Sequence, residues 1–97
     1  MREVKVKNLR PMQGSAHSSP RPGLQRLTDA ELLDSVRNPA KGDFLTENTH
    51  NGTLVDGNGR AHELLRRTAN PNSSITPDTE VPVAPYTPDM SMFPDLP

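Results

Sequence analysis

The residues best suited to chemistry lie together near the middle of the chain. The stretch reads Val55-Asp56-Gly57-Asn58-Gly59-Arg60 and continues as Ala61-His62-Glu63-Leu64-Leu65-Arg66-Arg67. Two nearby glycines permit backbone angles that other residues avoid, and they let a ligand approach the main chain closely. The amides of a first helical turn favour anions, and an arginine offers a planar fork that matches phosphate. The stretch therefore predicts a phosphate-binding turn between a strand and a helix that begins with the arginine.

A plainer interpretation of the same stretch stays open. Asp-Gly-Asn-Gly is also ordinary turn chemistry, and an arginine at the start of a helix is equally suited to solvent. Short glycine motifs match by chance in many proteins. The sequence alone does not decide between the two interpretations.

The helix after the turn carries a clear apolar face. Ala61, Leu64, Leu65 and Thr68 recur with the spacing of one helical face. The polar residues beside this face are Arg60, Glu63 and Arg67, with His62 and Arg66 further round. We expect the apolar face to attach the glycine turn to the core.

Composition predicts one small domain with a thin core. The chain has 97 residues, and Leu, Ile, Val and Phe together number 19, which is close to the level typical of disordered chains. The net charge of −1 is too small to oppose folding by repulsion. Without cysteine, disulfides and thiolate chemistry are excluded. No signal peptide or membrane-spanning stretch is evident, so a secreted protein of this sequence would need other machinery to carry it.

Charge is distributed unevenly along the chain. Residues 1–42 carry a net charge of +4, and residues 43–97 carry −5. A basic half can face a polyanion. Mixed charges of this kind also keep a small domain soluble.

The first part of the chain predicts a strand, a loop and a helix. The alternation from Glu3 to Leu9 predicts a strand with Val4 and Val6 facing the core. Residues 12–23 are rich in Pro, Gly and Ser, which is typical of a loop. Thr28 and Glu31 have the spacing of a capping box at the start of a helix that Asn38-Pro39 ends. The acidic residues Asp29, Glu31 and Asp34 are either metal ligands or favourable first-turn charges.

The second part predicts a hairpin before the glycine turn and a strand after the helix. Residues 43–56 read as a hairpin with a type I′ turn at Asn51-Gly52. Glu80-Val81-Pro82-Val83 predicts a strand with its valines inward, and its prolines favour an edge position. The stretch from Tyr86 to Pro97 is proline-rich and is either packed on the core or docked on a partner.

Three motifs in this order resemble the ParB/sulfiredoxin-like superfamily. Val4-Lys5-Val6-Lys7-Asn8-Leu9-Arg10-Pro11-Met12-Gln13 is similar to its opening strand and Leu-x-Pro-x-Gln exit. Leu54-Val55-Asp56-Gly57-Asn58-Gly59-Arg60-Ala61 is similar to its strand, Gly-x-x-Arg turn and helix, and Glu80-Val81-Pro82-Val83 to the strand that follows. The resemblance implies an α+β fold, with a short mixed sheet, two main helices and irregular proline-rich ends. It also implies a domain over residues 1–86 and a tail over residues 87–97.

The resemblance implies which residues bind phosphate, since families of this fold bind phosphate-bearing ligands on the Gly-x-x-Arg turn. The residues that carry over are Gly57 and Arg60, with Asp56, Asn58 and Gly59 in the same turn. By the same analogy, Arg10 and Gln13 line the same cleft.

The chain also departs from named members of the superfamily. Asn58 stands where sulfiredoxin has its cysteine, so sulfiredoxin chemistry is excluded. The Glu-Asn-x-x-Arg helix of partition proteins and a helix-turn-helix are both missing, which argues against a partition clamp. Compact ParB-like domains also occur as C-terminal toxic tips of Rhs-type polymorphic toxins. This chain resembles such a tip in its small size, its lack of cysteine and its proline-rich C-terminal stretch. A tip is delivered by a larger secreted effector, acts in the target-cell cytoplasm, has no membrane partner and is neutralised by a cognate immunity protein.

The resemblance therefore implies a nuclease toxin that acts on nucleic acid. Arg60 and the helix amides would hold a phosphate, and Asp56, His62 or Glu63 would supply a base or help to hold a divalent cation such as Mg²⁺. The alternatives are a nucleotide-hydrolysing domain and a binding module without catalysis, because no two acid–base residues stand at a spacing that demands chemistry. The sequence does not distinguish DNA from RNA.

Overall fold

The fold is built on a four-stranded mixed sheet. The computed structural model describes residues 1–11 and 22–87. The strands are β1 (Arg2–Lys5), β2 (Leu45–Asn48), β3 (Leu54–Asp56) and β4 (Glu80–Tyr86), and the helices are α1 (Pro22–Gln25), α2 (Asp29–Arg37) and α3 (Asn58–Thr68). The strand order is β1-β4-β2-β3; β2 runs parallel to β4, and the other pairs are antiparallel. The expected α+β class with two main helices is confirmed. Over the described ranges, every helix is too short or too polar to cross a membrane.

The first strand is shorter than the alternating pattern predicts. β1 ends at Lys5, and residues 6–8 form a turn of 3-10 helix. The predicted strand from Glu3 to Leu9 is therefore wrong beyond Lys5, although the burial of Val4 and Val6 is confirmed. Leu9 is also buried. A 3-10 turn aligns residues three apart, so it brings Leu9 to the core side on which Val6 lies.

The second helix forms as its capping signal predicts. Thr28 Oγ1 accepts a hydrogen bond from Glu31 N at 3.1 Å, and Glu31 Oε1 accepts one from Thr28 N at 2.8 Å. Each carboxylate or hydroxyl oxygen satisfies an amide that the helix leaves unpaired. The helix ends at Arg37, and its buried side carries Leu32 and Val36.

The predicted hairpin is confirmed, but its turn is different. β2 and β3 pair antiparallel, and residues 49–53 connect them. Gly52 has a φ of 75°, whereas Asn51 does not have the positive φ that a type I′ turn requires. The loop is closed by Gly52 N donating to Asn48 O at 2.7 Å. The side chains of Asn48 and Asn51 accept from His50 N and Thr53 N, each at 2.8 Å, which stabilises the longer loop.

The last strand lies in the interior of the sheet, so the predicted edge position is wrong. β1 pairs with its first half, Glu80–Val83, and β2 with its second half, Val83–Tyr86. Tyr86 O accepts from the β2 side, from Thr49 N at 3.0 Å. The backbone groups of successive residues point to opposite sides of a strand. Pro82 therefore points to the β2 side, at a position before β2 begins, and Pro85 points to the β1 side, at a position beyond the residues that pair with β1. The prolines are tolerated because each faces away from the strand that pairs beside it.

The core lies between the sheet and the helices, and one of its members comes from a connecting segment. The buried apolar residues are Val4, Val6, Leu9, Leu32, Val36, Leu45, Leu54, Ala61, Leu64, Ile75, Val81 and Val83. Ile75 comes from the connection between α3 and β4 and is 1% exposed. A single apolar residue among polar neighbours has no periodicity, so pattern analysis gives it no assignment.

Candidate functional site

The glycine turn joins β3 to α3, but the helix begins earlier than predicted. Gly57 has a left-handed φ of 81° and is the N-cap residue, so α3 starts at Asn58 and not at Arg60. Gly59 lies inside the first helical turn without a positive φ, so only Gly57 needs to be glycine for its backbone angle. Asp56 Oδ1 accepts a hydrogen bond from Gly57 N at 2.9 Å. The carboxylate of Asp56 is thus held at the mouth of the turn.

The space beside Gly57 is filled from within the protein. A Cβ at this position would meet Leu45 Cδ2 at less than 3.0 Å, with Arg60 Nη2 at 3.1 Å and Leu45 Cα at 3.3 Å. The missing side chain therefore makes room for the β2 core residue and for the guanidinium of Arg60. On this side of Gly57, Leu45 and Arg60 occupy the space next to the main chain. Close approach of a ligand to the glycine turn stays a prediction for its other side.

Arg60 spans from the glycine turn to the end of α2. Its Nη1 donates to Ser35 O at 2.7 Å, and its Nη2 donates to Asp43 O. Ser35 lies in the last turn of α2, where carbonyls lack helical partners and cations are favoured by the helix dipole. Arg60 therefore fixes the turn, the C-terminus of α2 and the start of the hairpin relative to one another.

A cleft of about 730 Å³, here called the turn cleft, opens between α2 and the glycine turn. Its lining residues are Leu27, Glu31, Asp34, Ser35, Asn38, Pro39, Ala40, Lys41, Asp43, Asp56, Gly57, Gly59 and Arg60. Four carboxylates face two cations, so the cleft is acidic. Among the predicted site residues the cleft gathers Asp56, Gly57, Gly59 and Arg60. The acidic Asp34 and Asp43 were not predicted to lie there, because they come from a helix end and a loop far away in sequence.

The remaining predicted site residues lie elsewhere. Asn58 is buried, and its side-chain amide donates to Leu54 O at 3.4 Å. His62 and Glu63 do not line the turn cleft. Gln13 lies outside the described residues, and Arg10 lines a different pocket. The structure therefore does not bring Arg10 together with Arg60.

Glu63 and Arg67 form a buried ion pair on α3. Glu63 is 0% exposed and Arg67 is 6% exposed. Arg66 and Arg67 both donate to the Glu63 carboxylate, Arg67 Nε at 2.8 Å. Hydrogen bonds from Arg66 and then Arg67 hold the pKa of Glu63 below its ordinary value. A carboxylate engaged in this way is a poor proton acceptor, so the geometry does not favour Glu63 as a base.

Arg67 also ties α3 to the two preceding helices. Its Nη1 donates to Asp29 Oδ1 at 2.9 Å. Its Nη2 donates to the carbonyls of Leu24 at 3.1 Å and Leu27 at 2.7 Å. The other oxygen of Asp29 accepts from Ser74 N at 2.7 Å, and from the hydroxyls of Ser73 and Ser74. Asp29 is thus part of a packing network rather than of a metal site.

Asp29 gives the fold a defined sensitivity to acid. Hydrogen bonds from Ser74 N and Arg67 lower its pKa from 3.8 to about 2. The native state therefore binds this proton less tightly than the unfolded state does. The contribution of Asp29 is complete above about pH 4 and is lost as the pH falls through about 2.

We expect Asp29→Asn to flatten the pH dependence of stability. The variant should be less stable than the wild type at neutral pH, and this difference should shrink between about pH 4 and pH 2, because both forms then lack the charge. Urea unfolding at several pH values measures it. Glu3→Gln is the control, since it removes an exposed carboxylate that forms no side-chain hydrogen bond within residues 1–11 and 22–87. A difference between the wild type and Asp29→Asn that is constant with pH would contradict this role.

A second pocket, here called the hairpin pocket, has the opposite charge. It measures about 600 Å³ and is lined by Arg2, Lys7, Asn8, Leu9, Arg10, Glu47, Thr49, His50, Asn51 and Gly52. Three cations face one carboxylate, and His50 adds a ring nitrogen donor or acceptor. In the sequence, the net charge of +4 over residues 1–42 is the signal that agrees with a basic pocket here. Local patterns did not reveal the pocket because one wall comes from β1 and residues 7–10 and the other from β2 and the hairpin loop.

Within the described part of the chain, no group of three or more His, Cys, Asp or Glu residues is arranged to hold a metal ion. Asp29 and Glu31 serve the packing network and the helix cap instead.

Comparison with known proteins gave no matching family model, no matching curated protein and no matching solved structure. The specific ParB/sulfiredoxin-like fold stays a prediction.

Proposed function

We propose that the chain binds a phosphate group of nucleic acid at the turn cleft and cleaves the phosphodiester as the toxic tip of a larger effector. The observation that carries the proposal is the meeting of Asp56, Gly57 and Arg60 in one open cleft at the start of α3. Delivery to the target-cell cytoplasm and neutralisation by an immunity protein rest on the resemblance alone.

The geometry of Arg60 suits stabilisation of charge. Its guanidinium is held by two backbone carbonyls, of Ser35 and Asp43, while it lines the cleft. A cation fixed in advance needs no reorganisation when negative charge develops on a phosphate. The helix dipole at the start of α3 acts in the same direction.

Asp56 is the base in this proposal. It is exposed and lines the cleft, and one of its oxygens is oriented by the amide of Gly57. The other oxygen makes no hydrogen bond with another residue in the described ranges and can accept a proton from an attacking water. His62 and Glu63 have no part in the proposed reaction, because neither lines the cleft.

The acidic balance of the turn cleft bears on how phosphate enters it. Four carboxylates outnumber two cations, so the summed charge of the cleft repels phosphate at a distance. Affinity for a polyanion must then come from another surface.

The proposal predicts that Asp56→Asn abolishes cleavage. The amide keeps an oxygen for the bond from Gly57 N but cannot act as a base, so we expect a loss of about 10²–10⁴-fold in rate. Arg60→Ala should also abolish activity. The measurement is degradation of plasmid DNA and of total RNA, with and without magnesium. Arg26→Ala is the control, since Arg26 is an exposed arginine that lines neither the turn cleft nor the hairpin pocket.

Thermal unfolding of every variant separates chemistry from folding. Arg60→Ala removes two bonds to backbone carbonyls and is expected to lower stability, whereas Asp56→Asn should not. Full activity of folded Asp56→Asn would exclude Asp56 as the base of the reaction. Full activity of Arg60→Ala would remove the glycine turn as the site.

A binding module without catalysis is the second candidate. It is favoured by the finding that only two of the four residues predicted to be catalytic, Asp56 and Arg60, line the turn cleft. This candidate gains support if Arg60→Ala abolishes ligand binding while the wild type cleaves neither DNA nor RNA. It also gains support if partner capture survives Arg60→Ala but is lost when residues 86–97 are deleted.

A further inference from the structure

The two pockets differ in the charge they present to an anion. The turn cleft has four carboxylates and two cations, whereas the hairpin pocket has three cations and one carboxylate. Long-range attraction of a polyanion follows the summed charge of a surface. The hairpin pocket is therefore the better of these two surfaces for capturing a phosphate chain.

The cations of the hairpin pocket are not equally engaged. Arg2 makes a two-pronged bond to Glu47, with distances of 2.6 and 2.9 Å. Lys7 lies 3.4 Å from the exposed Asp78, and an exposed pair of this kind is weak. Arg10 makes no ion pair with any residue in the described ranges. Arg10 is thus the cation best placed to bind an incoming anion.

One edge strand connects the two pockets. Arg10 O accepts a hydrogen bond from Leu54 N at 2.9 Å, at the first residue of β3. β3 then runs through Val55 and Asp56 to Gly57. Three residues of strand span about 10 Å. A stacked strand advances about 3.4 Å per nucleotide, so about three nucleotides cover such a distance, whereas one phosphate group does not.

We propose that the hairpin pocket binds a second phosphate of the same nucleic-acid strand, with Arg10 as the principal contact. The ligand is then a polynucleotide that runs along the outside of β3, with one phosphate in the turn cleft and another beside Arg10. This inference rests on the proposed function and names its substrate as a polymer rather than a mononucleotide.

Binding measured without cleavage tests the proposal. Fluorescence anisotropy gives the Kd of a labelled single-stranded oligonucleotide, as DNA and as RNA, over a series of salt concentrations. A mononucleotide is measured by calorimetry. We expect Arg10→Ala to weaken oligonucleotide binding several-fold, to reduce the slope of log K against log salt by roughly 1, and to leave mononucleotide binding unchanged. Arg26→Ala is the matched control and should behave as the wild type.

Three results would overturn the proposal. The first is an oligonucleotide affinity and salt slope of Arg10→Ala equal to those of Arg26→Ala. The second is an equal loss for mononucleotide and oligonucleotide, since Arg10 would then not contact a separate phosphate. The third is no binding of any oligonucleotide by the wild type. Loss of thermal stability is not expected, because the Arg10 side chain is exposed and only its backbone carbonyl holds β3.

Failure of the proposed function is distinguishable from failure of this inference. If Asp56→Asn and the wild type are equally inactive but Arg10 governs oligonucleotide binding, catalysis is excluded and the second phosphate site stands. If cleavage depends on Asp56 and Arg10→Ala changes nothing, the reaction stands and the hairpin pocket is excluded.

Discussion

Gly57→Ala is expected to lower the free energy of unfolding by about 2–5 kcal/mol. The left-handed backbone at this position costs an alanine about 1–2 kcal/mol. The added Cβ would also displace the buried side chain of Leu45, and overpacking of a filled core costs about 1–3 kcal/mol. Urea unfolding monitored by circular dichroism measures the loss.

Gly52→Ala is the matched control for this prediction. Gly52 has nearly the same φ, 75° against 81°, but a Cβ there meets nothing within 4 Å. It should therefore show only the backbone cost of about 1–2 kcal/mol, and the difference between the two variants measures the contact with Leu45. Equal decreases in the free energy of unfolding would mean that the core around Leu45 accommodates the added methyl group without further destabilisation. Gly57→Ala should also disturb Arg60, whose Nη2 lies 3.1 Å from the new atom.

Arg67→Ala is expected to destabilise the fold by about 3–5 kcal/mol, because it leaves the buried carboxylate of Glu63 with one exposed partner. It also removes the donors to Asp29 and to the carbonyls of Leu24 and Leu27. For a small domain such a loss is a large share of the total stability. The midpoint of thermal or urea unfolding gives the result.

The neighbouring Arg66 provides the control for Arg67. It bonds to the same carboxylate of Glu63, but its side chain is 50% exposed. Exposed ion pairs contribute little, so Arg66→Ala should cost much less than Arg67→Ala. Losses of similar size would show that Glu63 depends on its total number of partners and not on the buried one.

The features that were predicted correctly are those encoded within a few residues. The capping box needs only Thr28 and Glu31, three positions apart, and the structure has both of its bonds. The hairpin was likewise visible from Asn51-Gly52, although side-chain bonds from Asn48 and Asn51 changed its turn. Local competition of this kind alters geometry without altering which strands pair.

The features that were missed depend on partners far away in sequence. The helical spacing put Glu63 and Arg67 in one polar row, but the row is buried because Arg67 bonds to Asp29, Leu24 and Leu27, all about 40 residues earlier. The polar partners of Arg60 likewise lie 25 and 17 residues away. A single sequence carries no signal for such contacts. The candidate site was therefore predicted as a set of residues on one turn, and its division into an acidic cleft and a basic pocket was not.

The pairing of β4 on both sides has a consequence for how the domain forms. β1 and the β2–β3 hairpin belong to one sheet only because β4 lies between them, since the strand order is β1-β4-β2-β3. Residues 2–5 and 45–48 are therefore held in one sheet only when residues 80–86 lie between them. Closing such long loops costs conformational entropy, and the hydrogen bonds of the sheet offset this cost only after β4 has paired. Formation of the sheet is therefore expected to be slow. A chain in which residues 80–86 are not yet in place would therefore contain at most the β2–β3 hairpin and its local helices, without the complete sheet.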